Sequence, residues 1–227
     1  MIKNKVAGFL FLLLLAPVAV SGADFFTTSG FKFVQRRGSV SYAAEVDFPV
    51  TGAAAALRSV KSWICDILEV EEPARLEKGD FQALLQRSFE GFLGVADSCS
   101  RRIEIERRYE DADVVTFAAL VVDKDSATWR SEDYATFSKV DGDRIQVDEV
   151  FRCSEKKIKE LMWKWRGNVP VEVASADGLV VGDVAFLDGW VVVIGPAQGY
   201  TGAAYLIRYQ DAEPYLQGKP GGRYFER

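Results

Sequence analysis

Histidine is absent from the 227-residue chain. That removes the Ser-His-Asp and Cys-His routes to an activated nucleophile. It also removes the His-Glu-Xaa-Xaa-His zinc site and any imidazole proton shuttle near neutral pH. An enzyme on this chain would have to use carboxylates, Lys, Tyr, or a metal held by oxygens. Cysteine is scarce: Cys65, Cys99 and Cys153. An odd number leaves one thiol over. A Cys65–Cys99 disulfide is the first pair expected in an oxidising compartment, and three buried free thiols are the alternative. A catalytic thiol is not expected, because no imidazole is present to lower its pKa. Apolar runs of membrane-spanning length are also missing. The longest, Val6 to Val20, is interrupted by Gly8 and Pro17. At about 15 residues it is short of the ~20 needed to cross a bilayer.

What that run does fit is a secretory signal. Lys3 and Lys5 precede it, and Ser21, Gly22 and Ala23 follow it, with Ser21 at −3 and Ala23 at −1 of a plausible cut. No cysteine stands at the cut, so a lipoprotein anchor is not expected. Residues 1–23 are therefore read as a signal peptide. The remainder is read as exported, periplasmic or extracellular, without a membrane span. Losing Lys3 and Lys5 takes the net charge from −5 to −7. An acidic chain without clustered Lys and Arg argues against a nucleic-acid partner. It is compatible with a basic protein partner drawn in by opposite charge.

Along the mature chain, Phe31–Val34 and Val40–Phe48 read as a strand pair, the second alternating strictly from Val40 to Phe48. Pro49 is expected to stop it. Residues 52–70 switch to helical spacing, with Leu57, Val60, Ile64, Ile67 and Leu68 on one stripe. A second helix is expected from Asp80 to about Phe92. Ile103–Tyr109, Val114–Val122 and Tyr134–Val140 read as strands, the middle one apolar on both faces. Asp141-Gly142 and Asp188-Gly189 are hairpin signals. A third helix is expected over Ser154–Arg166. Short strands at 179–181, 184–187, 190–194 and 203–209 follow. The fold class expected is α+β, with antiparallel or mixed sheets packed by about three helices. The division is an N-terminal βα-rich segment (24–145), a C-terminal portion (146–216) and a loose tail (217–227), with 24–216 as one domain the alternative.

Two acidic groups, Asp123/Asp125/Glu132/Asp133 and Asp141/Asp143/Asp148/Glu149, lack the calcium-loop pattern and read as solvated turns. No metal site is expected. Nor is a cofactor, since Gly195–Gly202 matches neither the phosphate loop nor the dinucleotide fingerprint. That stretch is either a loop of special backbone geometry or a binding loop presenting Gln198 and Tyr200. Trp163 steps off the apolar stripe of its helix onto a charged face. There it either contacts a partner or is covered by a loop.

Taken in order, several segments resemble the extracytoplasmic domain family shared by the anti-sigma factor RsiV and the peptidoglycan deacetylase PdaC. They are Ala135–Gly142, Val147–Phe151, Ala185–Val191, Gly195–Tyr200 and Ala204–Tyr209. The family's Gly-Gly-Ala-His segment is replaced here by Ser126–Ser131, which contains Trp129 and Arg130. The resemblance implies a non-catalytic binding or sensing module of the bacterial envelope, with a protein such as lysozyme or a cell-wall glycan as ligand. Tyr200, Gln198, Trp129, Arg130 and Trp163 are the candidate binding residues. A structural subunit of an envelope assembly, and a histidine-free glycan hydrolase, are the competing readings.

Overall fold

The computed structural model of the chain describes residues 25–73, 75–94, 98–125, 127–167, 174–197 and 200–217. The expected signal peptide, Gln198 and the tail from residue 218 onwards lie outside these. The fold is α+β, built on one mixed eight-stranded sheet in the order β1-β2-β3-β4-β5-β8-β7-β6. The strands are β1 (Thr27–Arg37), β2 (Val40–Thr51), β3 (Ser100–Glu110), β4 (Val114–Lys124), β5 (Thr128–Ser138), β6 (Val184–Leu187), β7 (Trp190–Ala197) and β8 (Tyr200–Arg208). Neighbours run antiparallel except β2–β3 and β5–β8, which are parallel. Each parallel pair spans a helical connection: α1 (Ala54–Ile67) and α2 (Phe81–Leu93) in the first, α3 (Val147–Val150) and α4 (Glu155–Lys164) in the second. A last short helix, α5 (Tyr209–Ala212), follows β8.

The alternation in β2 decides which face is buried. Val40, Tyr42, Ala44, Val46 and Phe48 point to the helices, joined by Ile103 and Ile105 of β3 and by Val115 and Phe117 of β4. Against them α1 turns Val60, Trp63 and Ile64, and α2 turns Phe81, Leu84, Leu85 and Phe89. Phe81 packs on Phe48 at 4.4 Å and on Phe31 at 4.9 Å between ring centres. Fully burying one such side chain is worth about 1.5–3 kcal/mol.

β4 is buried on both faces from Val114 to Ala119, as its continuous apolar run predicts. The second cover is β6, which lies across β3, β4 and β5. The Phe186 N–H donates to Thr136 Oγ1 at 3.1 Å, and Thr136 is hydrogen-bonded to Thr116 at 2.7 Å. Ala185, Val192, Ile194 and Ala204 fill this inner layer beside Tyr134. The opposite face of β6–β8 carries Val184, Val191, Val193, Tyr205 and Ile207 against Ile158, Leu161 and Met162 of α4. Helices, β1–β5, β6–β8 and α4 are thus stacked in turn.

Several expectations are corrected. β2 runs through Pro49, which stands opposite Thr28 beside an irregularity at Thr27/Thr28. The parallel ladder to β3 has already ended at Val46, so the missing N–H of Pro49 interrupts nothing there. β5 starts at Thr128, six residues earlier than its apolar pattern, because its first half faces water and carries polar residues. Residues 179–181 form no strand. Cys65, Cys99 and Cys153 are free thiols, so the Cys65–Cys99 disulfide is not formed.

Candidate functional site

The helices cover one face of β1–β5 and β6 covers only the later part of the other. What remains is an open sheet face. Alternation sends Lys32 and Val34 of β1 to it, with Ser41, Ala43 and Glu45 of β2 and Arg102, Glu104 and Glu106 of β3. β4 adds Leu120, Val122 and Lys124, and β5 adds Arg130, Glu132 and Tyr134. Register lines these up in rows: Arg102–Val122–Arg130, then Glu104–Leu120–Glu132, then Glu106–Ala118–Tyr134. Two depressions meet at Glu104 and Leu120. One, of about 500 Å³, is floored by Val34, Ala43 and Val122. The other, of about 110 Å³, lies between Arg108, Arg130 and Tyr134.

Each carboxylate that β3 and β5 bring to this face has a guanidinium two residues away on its own strand. Arg102 pairs with Glu104, Arg130 with Glu132, and Arg108 with Glu106 at 3.1 Å. Lys32 pairs with Glu45 across β1–β2 at 3.1 Å. Residues two apart on a strand share a face, so Arg and Glu spaced two apart, in either order, dictate this ladder. It offers donors and acceptors on a shallow surface. Burial pushes the Tyr134 phenol up from its ordinary range, with the Glu132 charge adding to it.

Arg130 and Tyr200 are brought together. They face each other where β5 and β8 run parallel, so the two segments singled out in the sequence, seventy positions apart, meet at one corner of the sheet. Tyr200 enters by its backbone; its side chain, like Gln198, lies outside the described residues. Within the stretch 195–202, residues 195–197 belong to β7 and 200–202 to β8. Likewise Ser131, Arg130, Trp129 and Thr128 are strand, not loop.

Trp129 stands next to Arg130 on the helix side of β5 and is 56% exposed. Opposite it is Asp123, which takes a two-pronged ion pair from Arg101 at 2.8 Å on each arm. Arg101 also reaches Glu69 at 2.8 Å and lies over the Phe92 ring. Burial works against its charge, but Asp123 and Glu69 outweigh that and raise its pKa. This network anchors the end of β4 that pairs with Trp129 of β5. Sequence reasoning passed over Arg101, although its place beside the β3 charge pattern was visible.

Trp163 sits elsewhere. It packs half-buried against the second core, with the Arg166 guanidinium 4.0 Å from its ring centre. It lines neither depression. The acidic groups are accounted for by neighbours. Asp133 accepts from Trp63 at 2.8 Å and from Arg144 at 3.0 Å. Asp141 accepts the Asp143 N–H, Glu149 accepts the Gln146 N–H, and Asp125 accepts the Ala127 N–H. No cluster able to hold a metal occurs among the described residues.

No protein-family model and no curated protein matches the chain. Solved structures that share the fold include the following two. A DUF3298-family protein from Bacteroides fragilis is 12% identical with a TM-score of 0.58, over 88% of this chain and 97% of its own. A DUF3298-family protein from Pseudomonas aeruginosa is 11% identical with a TM-score of 0.53, over 86% and 94%. The architecture is therefore that of a DUF3298-type domain.

Proposed function

We propose that this chain is an exported binding or sensing module of the bacterial envelope. On this reading it takes a protein such as lysozyme, or a cell-wall glycan, at the corner where Trp129 and Arg130 meet Tyr200. The observation that carries the reading is the Arg130–Tyr200 register. It joins the segment that replaces the RsiV and PdaC family's Gly-Gly-Ala-His to the family-like late turn, beside an exposed indole. The apolar floor with paired charges suits recognition, since guanidinium is among the side chains that dominate binding surfaces, and the Trp129 indole stands on the other face of the same strand end. No helix among the described residues is long and apolar enough to cross a membrane, and the signal-like start supports export.

Calorimetry with lysozyme and with muropeptides, at on the order of 50 micromolar protein, tests it. Binding of one of them, weakened about tenfold by Trp129→Ala or Arg130→Ala, is the expected result. Silence with both ligands, or binding that neither substitution alters, overturns the assignment.

A further inference from the structure

The open sheet face is divided by charge along its strands. At one end, register sets Arg36 beside Ser41 and Ser100 beside Lys124; the next row holds Arg102, Val122 and Arg130. These two rows carry four bases and no acid. The two rows that follow carry Glu45, Glu104 and Glu132, then Asp47 and Glu106. Among the described residues of those rows the one base is Lys32, held by Glu45. The boundary crosses β3 between Arg102 and Glu104, β4 between Val122 and Leu120, and β5 between Arg130 and Glu132. The guanidiniums are the more exposed partners at that boundary. Arg102 and Arg130 expose 65% and 48% of their side chains, against 25% and 23% for Glu104 and Glu132. A guanidinium has five donors, more than its one carboxylate neighbour takes up.

A partner of one charge sign spread over this face would meet its like on half of it. A partner that fits carries the same division reversed. A second copy, turned over by a two-fold axis along the boundary, supplies that reversal by symmetry. We infer that the open face is self-complementary and that its occupant is a second copy of this chain. Arg102 and Arg130 then lie over the partner's Glu104 and the partner's Glu132, and the reverse. Leu120 and Val122 meet their counterparts between these charges, giving an apolar centre with a polar surround. Val34, 77% exposed in the single chain, is covered as well. Four rows on five strands span about 27 by 24 Å, so the pair would bury on the order of 1,300 Å², enough for a specific interface. The inference goes beyond the ligand reading and does not rest on it. Arg130 is common to both, so the test leaves it unaltered.

Analytical ultracentrifugation without ligand tests this, on the chain expressed from its full sequence in a bacterial host and purified as the cell leaves it. At on the order of 50 micromolar it should sediment as a dimer that dilution dissociates. Arg102→Glu puts acid over acid, and Glu104→Arg puts base over base. Each alone should weaken dimerisation by about tenfold or more. An equimolar mixture of these two variants restores opposite charge at both contacts and should dimerise again. Circular dichroism checks their folding. Should either fail to fold, Val34→Arg carries the test, at a site too exposed to matter to the core. It sets a base over the partner's Lys32 and should weaken the dimer too. A monomer at that concentration, a dimer that no variant weakens, or a mixture of folded variants no tighter than its components overturns the inference. Ligand calorimetry reads a different property, so failure here leaves the ligand reading standing.

Discussion

The Tyr42 phenol donates to Ser88 Oγ at 2.7 Å, because the Ser88 proton is given to the Leu68 carbonyl at 2.6 Å. One relay of two buried hydrogen bonds thereby ties β2 to α2 and to the end of α1. Removing its middle member strands two polar groups, while removing the first strands one. Ser88→Ala is expected to cost about 2–3 kcal/mol and Tyr42→Phe about 1 kcal/mol. Urea denaturation of the two variants checks the order; a larger loss from Tyr42→Phe contradicts the relay.

Cys65 is buried against the first core. Burial, reinforced by the charges of Glu72 and Asp66, pushes its thiol from 9.0 up to about 11. A group whose folded pKa is raised contributes stability in full below its unfolded pKa and loses it as pH rises through the folded value. The window is therefore pH 9 to 11, and the loss is about 2–3 kcal/mol. Stability curves of the unaltered chain and of Cys65→Ala should diverge in slope across that window and run parallel below it. Mass analysis without reductant should also find three thiols, with Cys65 alkylated only after unfolding.

Gly142 has φ +85° and sits against α1, where a Cβ would lie 2.7 Å from the Ala55 backbone. Gly189 has φ +76° with open space around it. Both substitutions with Ala meet left-handed strain of about 1 kcal/mol. Only Gly142→Ala adds a clash with backbone, so it should lower the melting temperature well beyond Gly189→Ala. Equal effects would mean that α1 yields.

Arg101 and Asp123 hold the β4 end opposite Trp129. Asp123→Asn leaves the buried guanidinium with a weaker partner. A cost of about 1.5–3 kcal/mol is expected, with ligand affinity at the Trp129 corner falling as well. Because the Arg101 charge remains, high salt should not rescue the variant.

Local pattern carried much of this fold. The alternation from Val40 to Phe48 placed Tyr42 and Phe48 in the core, and the stripe of Val60, Ile64 and Leu68 set the buried face of α1. Asp188-Gly189 marked its hairpin, with Gly189 in the left-handed region. The site was less legible. Trp129 and Arg130 looked like loop residues because the first half of β5 is polar. Trp163 stepped off the stripe of α4, yet half-buries against the second core beside Arg166. Helical spacing describes one helix surface and says nothing of what neighbouring segments lay over it.

By itself the sequence determined the periods, the turns, the absence of imidazole chemistry and the arginine–glutamate spacing of the strands. Those follow from residues within a few positions of one another, whose geometry the backbone fixes. Only the tertiary structure decided that β8 returns to lie beside β5, that β6 crosses over β4, and that one stretch of sheet face stays open. Such pairings join segments with no shared local signal, and are selected by the packing of the whole chain.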